Sequence, residues 1–103
     1  VDIQRMVKEM KKAQERMSLL QEEIAQKTVE SSAGGGMVKA VVAGDGMLRS
    51  LAIDPQVIDP SDPVLLADLV LACVNEGKRR ASEMAAAEMQ RAAASLGLPP
   101  GML

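Results

Sequence analysis

The sequence predicts an α+β protein built as helix, three antiparallel strands and a long C-terminal helix (α-β-β-β-α). Three observations carry this reading. Residues 3–24 repeat apolar side chains at steps of three and four; residues 27–53 alternate and are broken by glycine; residues from Pro63 onward return to a helical pattern.

The first helix is expected from about Asp2 to Gln26. Ile3, Met6, Met10, Ala13, Met17, Leu20 and Ile24 form one seam, and Asp2 can serve the N-terminus. The charges run against the helix dipole, with Arg5, Lys8, Lys11 and Lys12 early and Glu22 and Glu23 late. Three short strands follow: Lys27 to Ser32, Met37 to Ala43 and Met47 to Ile53. Ala33-Gly34-Gly35-Gly36 and Gly44-Asp45-Gly46 make the two hairpin connections, because glycine reaches the positive φ that tight turns need. In the third strand, alternation puts Met47, Arg49, Leu51 and Ile53 on one face and Leu48, Ser50 and Ala52 on the other. Both faces of the second and third strands are therefore partly apolar. One face takes the helices, and the other suggests cover from a second copy of the chain.

Asp54-Pro55 ends the sheet. Asp62 fits an N-cap and Pro63 the first helical position of a helix running to about Leu96. Val64 to Val74 is apolar nearly all round and is expected to be buried on most sides. Leu66, Val70, Cys73 and Val74 should face the core near Leu51 and Ile53. Lys78-Arg79-Arg80 and an Ala-rich stretch follow. Gly97 is read as the C-cap, and Pro99-Pro100 as the stop. Residues 1–103 read as one domain, with 97–103 as a flexible tail. The sequence starts at Val1, which leaves room for a missing initiator Met or short leader.

The apolar residues are unusual in kind: eight Met, many Ala and no Phe, Tyr or Trp. A short chain without aromatics builds a thin core, which oligomerisation would reinforce. No segment approaches a membrane span or a signal peptide, and the single Cys73 fits a reducing cytosol.

Little catalytic chemistry is available. The chain has no His and one thiol, which excludes a zinc site and any His-based acid, base or triad. Asp54, Asp59 and Asp62 could be imagined around magnesium, but Asp beside Pro usually makes turns and caps. Gly34 to Gly36 lacks the Gly-Lys-Ser/Thr ending of a phosphate loop. The sequence thus predicts no enzyme, no catalytic residue, no cofactor, no metal and no small-molecule substrate.

Two basic features remain. Arg5, Lys8, Lys12 and Arg16 fall on one stripe, about 130° around the helix from the apolar seam. Lys11 lies nearby. The bland reading is a solvated face; the functional one is phosphate binding, since a basic ridge on a chain of net charge −2 calls for a reason. Lys78, Arg79 and Arg80 splay around the last helix, where Glu76 and Glu83 could balance them. Without aromatics, base stacking on single strands is weak, but contact with a duplex backbone is unaffected.

Residues 8–26 (KEMKKAQERMSLLQEEIAQ) resemble the first helix of the YbaB/EbfC family of bacterial nucleoid-associated proteins. So does GGGMVKAVVAGDGMLRSLAIDP, residues 34–55, with its glycine turn, G-x-G turn and strand ending I-D-P. DLVLACVNEGKRRASE, residues 68–83, and GLPPG, residues 97–101, are similar to the family's last helix and ending. The resemblance spans nearly the whole chain and rests on the ordered set of motifs. It implies a homodimer whose paired helices project like tweezers from a shared β core, and binding of double-stranded DNA with little sequence specificity. It also implies no catalysis and a cytoplasmic protein associated with the nucleoid. Arg5, Lys8, Lys11, Lys12, Arg16, Lys78, Arg79 and Arg80 would hold phosphates. The alternative is a dimeric protein-interaction scaffold with incidental DNA binding. Gly77 departs from the family pattern, where Ala or Asp is common, and is expected to loosen the last helix.

Overall fold

The computed structural model describes residues 2–95 and has the predicted order: α1 (Ile3–Gln26), β1 (Thr28–Ala33), β2 (Val38–Ala43), β3 (Leu48–Ile53) and α2 (Pro63–Ser95), with a one-turn 3-10 helix at Pro55–Val57. The expected helix end at Leu96, the Gly97 cap and the tail at 97–103 lie outside the described residues. The molecule is a rod of 73 × 20 × 16 Å.

Each boundary has a local cause. The Asp2 carboxylate accepts the Arg5 N–H at 3.2 Å and starts α1. Asp62 does the same for the Leu65 N–H at 3.2 Å, with Pro63 opening α2. Gly34, Gly35 and Gly36 all have positive φ (63°, 67° and 93°), a run that only glycine makes easily. They let β1 return as β2 in the register Thr28↔Ala43 to Ala33↔Val38. Asp54 and Asp59 are turn residues, accepting the Gln56 and Ser61 N–H groups at 2.9 Å.

The sheet is antiparallel in the order β1-β2-β3. Its β2–β3 register departs from simple alternation. Val42 pairs with Leu48 and Val41 with Ser50, so Arg49 is an extra residue in a bulge. Cross-strand partners share a face. Leu48 therefore sits opposite buried Val42, on the side of Leu51 and Ile53, and not with Ser50 and Ala52 as alternation predicts.

α2 lies over β1 and β2. Val38, Ala40 and Cys73 are fully buried and form the centre of the core, joined by half-buried Ala33, Ile53, Val57, Leu69 and Val70. The helix approaches through small residues at four-residue steps, Cys73, Gly77 and Ala81, all buried. A Cβ on Gly77 would stand 2.7 Å from Val42 Cγ2 and 2.8 Å from Ser31 Oγ. Gly77 is thus the point of closest approach to the sheet, and it admits the helix rather than loosening it. Buried Ser31 donates to the Cys73 carbonyl at 2.7 Å, while Cys73 Sγ lies 3.5 Å from the Val38 carbonyl. Cys73→Ser should lose about 1–2 kcal/mol in a denaturant titration, since a shorter, more polar group replaces a fitted thiol. A loss under half a kilocalorie would show that the site tolerates slack.

The first half of α2 differs from expectation. Cys73 is buried and Leu66, Val70 and Val74 are half-buried, but Val64, Leu65 and Leu71 are exposed by 66%, 48% and 61%. The cause is placement. α2 sits toward β1 and β2, so its outer face and the inner face of β3, with Leu48 and Leu51, stay open within one chain.

Candidate nucleic-acid interface

α1 leaves the sheet as an arm. Its root is fixed by Ile24, buried against the β2–β3 turn, and by the Gly44 N–H, which donates to the Lys27 carbonyl at 2.8 Å. Farther out, Met17 and Leu20 are half-buried beside Ala92 and Ser95 of α2. From Arg16 back to Asp2 every residue is exposed.

Arg5, Lys8, Lys11, Lys12 and Arg16 all lie on this exposed part. Arg5 to Arg16 spans about 16 Å of helix axis. Arg5 reaches Glu9 at 3.4 Å, an exposed pair of small energetic weight. Among the described residues, Lys8, Lys11, Lys12 and Arg16 form no ion pair, although Glu15 lies within one turn of the last three. The Asp2 carboxylate caps the positive end of the α1 dipole, and no acidic residue follows it within the first turn. The electrostatically unfavourable charge order thus concentrates uncompensated positive charge at the outer end of the arm.

The second basic group is built differently. Lys78, Arg79 and Arg80 point three ways around α2. Lys78 Nζ donates to the Gly46 carbonyl at 2.8 Å, and Arg80 donates to the Glu30 carbonyl at 3.0 Å. These two side chains clamp α2 to the β2–β3 turn and to β1. Arg79 turns outward to Glu76, at 2.6 Å, and to Glu83; Arg80 also meets Glu76, at 3.0 Å. The three cations are brought together in sequence but not as one surface, and two of them are already neutralised. The sequence held the signal in Glu76 and Glu83, at helical spacing from Arg79.

Glu76 carries the electrostatic consequence. The Arg79 guanidinium first, and Arg80 second, hold its carboxyl down at about 2. Its folded value lies below the ordinary carboxylate value, so its contribution is present above about pH 4 and is lost as pH falls toward 2. An NMR titration should place the Glu76 carboxyl midpoint near 2; a midpoint at the ordinary value of about 4.3 would mean that the pairs are not formed in solution. Glu88 is lowered likewise, chiefly by Lys27 at 3.1 Å, which ties the end of α1 to α2.

Lys39, on the sheet face away from α2, is a further cation outside any ion pair among the described residues. Its alternation with Val38 and Ala40 marks it in the sequence, though it stands alone. Asp59 is lowered by the hydroxyl and N–H of Ser61, which fits its turn role. No helix among the described residues is long and apolar enough to cross a membrane.

Comparison with known proteins finds relatives over nearly the whole chain. The chain is 48% identical to a nucleoid-associated protein of Syntrophobacter fumaroxidans, over 90% of this chain and 84% of the relative. It is 48% identical to one from Thermoanaerobacter pseudethanolicus, over 95% and 88%, and 45% identical to one from Acetivibrio thermocellus, over 98% and 89%. The fold is similar to the crystal structure of the uncharacterized protein HP0035 from Helicobacter pylori, with a TM-score of 0.67 and 24% identity over 81% of this chain and 87% of that one. A family model described as the YbaB/EbfC DNA-binding family matches residues 1–96, and with relatives this similar over nearly their full length, the chain belongs to that family.

Proposed function

We propose that the protein is a nucleoid-associated protein that binds double-stranded DNA as a homodimer, through the phosphate backbone and with little sequence preference. The observation that carries the reading is the run of uncompensated cations, Lys8, Lys11, Lys12 and Arg16, on the exposed arm of a chain from a DNA-binding family. Arg5 joins them by exchanging Glu9 for phosphate. Arg79 and Arg80 are assigned a lesser part, because phosphate would have to displace Glu76 and Glu83. The role is binding without catalysis, and its place is the nucleoid in the cytoplasm. Specificity should be slight, because the exposed part of α1 offers mainly cations, with Gln4 the one amide in its first two turns.

The homodimer is supported by the open apolar surface: Val64, Leu65 and Leu71 of α2, and Leu48 and Leu51 of β3. A second copy laid there would finish a core that lacks aromatics and set two arms side by side. Sedimentation at micromolar concentration should give a dimer, and Leu71→Asp, which changes an exposed residue of the single chain, should give a folded monomer. A wild-type monomer would remove the paired-arm architecture.

DNA binding itself is tested by titrating arbitrary duplexes at several salt concentrations. Log affinity should fall linearly with log salt and nearly alike for unrelated sequences. A preference of several kcal/mol for one sequence, or affinity indifferent to salt, would defeat the backbone reading. Stoichiometric capture of another protein at salt that abolishes DNA binding would favour the scaffold alternative.

A further inference from the structure

The apolar seam of α1 runs out past its cover. Ile24 is buried, and Leu20 and Met17 are half-buried where α1 meets α2, but Met10, Met6 and Ile3 are exposed by 61%, 52% and 71%. Val7, beside them, is exposed by 45%. From Ile3 to Ala13 these positions make an apolar strip about 15 Å long on a helix that is otherwise charged. Such a strip marks a contact surface. Lys8, Lys11 and Lys12 lie on the far side of the helix, so the strip and these cations can be engaged at the same time.

The residues that flank the strip identify its partner. Asp2, Glu9 and Arg16 lie along one border at heptad spacing, and Val7 and Gln14 along the other. In a parallel pair of such helices each border meets the opposite border of its neighbour. Asp2 would then face Val7, and Glu9 would face Gln14, so no charge is matched. In an antiparallel pair like borders meet. With Met6 opposite Met10 and Ile3 opposite Ala13, Asp2 faces Arg16 of the second copy, and two-fold symmetry makes this pair twice. Val7 meets its own counterpart near the axis. The like-charge meeting, Glu9 with its counterpart, is offset by Arg5, which lies 3.4 Å from Glu9 in each copy. All of these residues are exposed in the single chain. The same register ends the overlap at Ala13, short of Met17 and Leu20, which already pack beside α2.

We propose that the outer turns of α1 form an antiparallel joint with the same turns of a second copy, tip across tip, so that molecules link end to end through their arms. The joint is separate from the open α2–β3 surface and depends neither on that surface nor on what the cations bind. Where both contacts form, homodimers are linked into chains, and Lys8, Lys11 and Lys12 stay open along the outside. Four exposed apolar side chains per copy fall short of the ~800 Å² per partner of a standard interface, so the joint is reversible and closes where molecules are concentrated.

Two measurements test it. As protein concentration is raised about a hundredfold from micromolar, the sedimenting mass should rise to about twice its micromolar value or more. Met6→Gln with Met10→Gln should abolish the rise and leave the micromolar species as it is, so a failed joint and a failed α2–β3 dimer give different results. Cross-linking reads the orientation. With buried Cys73 left in place, Met6→Cys protein mixed with Met10→Cys protein should form disulfides between positions 6 and 10 on mild oxidation, at least about fivefold faster than either protein bonds to itself. Peptide mass spectrometry distinguishes the products. A mass that does not rise would overturn the joint and leave the strip to a different occupant. A rise unchanged in the Met6/Met10 variant would overturn it too, as would bonds mainly from 6 to 6 and from 10 to 10, the mark of parallel arms.

Discussion

Gly44→Ala is expected to destabilise the fold by about 3 kcal/mol, the upper end of what overpacking usually costs. Gly44 does not need a positive φ; it needs the absence of a side chain. A methyl group there would overlap the carbonyl oxygen of Ile24, and would stand 2.9 Å from the carbonyl carbon and 3.2 Å from Ile24 Cγ2. The obstacle is the last turn of α1, which is backbone and cannot rotate aside. Moving it would also stretch the 2.8 Å bond from the Gly44 N–H to Lys27. Gly46→Ala makes the useful contrast. Its surroundings are open but its φ is +86°, so the loss should be only about 1 kcal/mol of backbone strain. Denaturant midpoints of the two variants check the pair. A Gly44→Ala loss no greater than that of Gly46→Ala would mean that the root of α1 is not seated on the hairpin.

The second large effect is on DNA. Each phosphate neutralised by a cation contributes about 0.9 to the slope of log affinity against log salt on B-DNA. Lys8→Ala with Lys12→Ala should therefore flatten the slope by about two when one arm contacts the duplex, and by about twice that when both arms of a dimer do. All duplex sequences should weaken alike. The fold should be untouched, since both side chains are exposed and lie outside any ion pair among the described residues. Replacing Arg79 by Ala should change the slope far less, because Glu76 and Glu83 already compensate it. An unchanged slope in a folded Lys8/Lys12 variant would exclude the stripe as the binding surface. A larger loss from Arg79 than from the Lys8/Lys12 pair would move the interface to α2.

Much of the architecture was legible because its determinants are local. Asp2, Asp62-Pro63 and the triple glycine place their elements within a residue of where the structure has them. Features that depend on two segments meeting were not. The Arg49 bulge, which turns Leu48 toward the helix side, belongs to the pairing of β2 with β3. Gly77 reads as a helix weakness in isolation and becomes a contact point only once Val42 and Ser31 lie beneath it. The apolar run Val64 to Val74 announces burial without saying by what; one chain covers one side only. For the candidate site, the α1 stripe was visible from helical periodicity alone. The division of labour in Lys78-Arg79-Arg80 was not, since Lys78 and Arg80 meet carbonyls far away in sequence, one in the β2–β3 turn and one on β1.

The seating of α1 on Gly44 also sets an angular tolerance. The helix is 24 residues long, about 36 Å from root to tip. A tilt of roughly 10° at the root would swing the tip sideways by about 6 Å, and the cations along the arm by proportionately less. A hairpin turn with no room for one extra carbon thus works as an alignment stop, and it governs the aim of a lever whose working end lies several nanometres away.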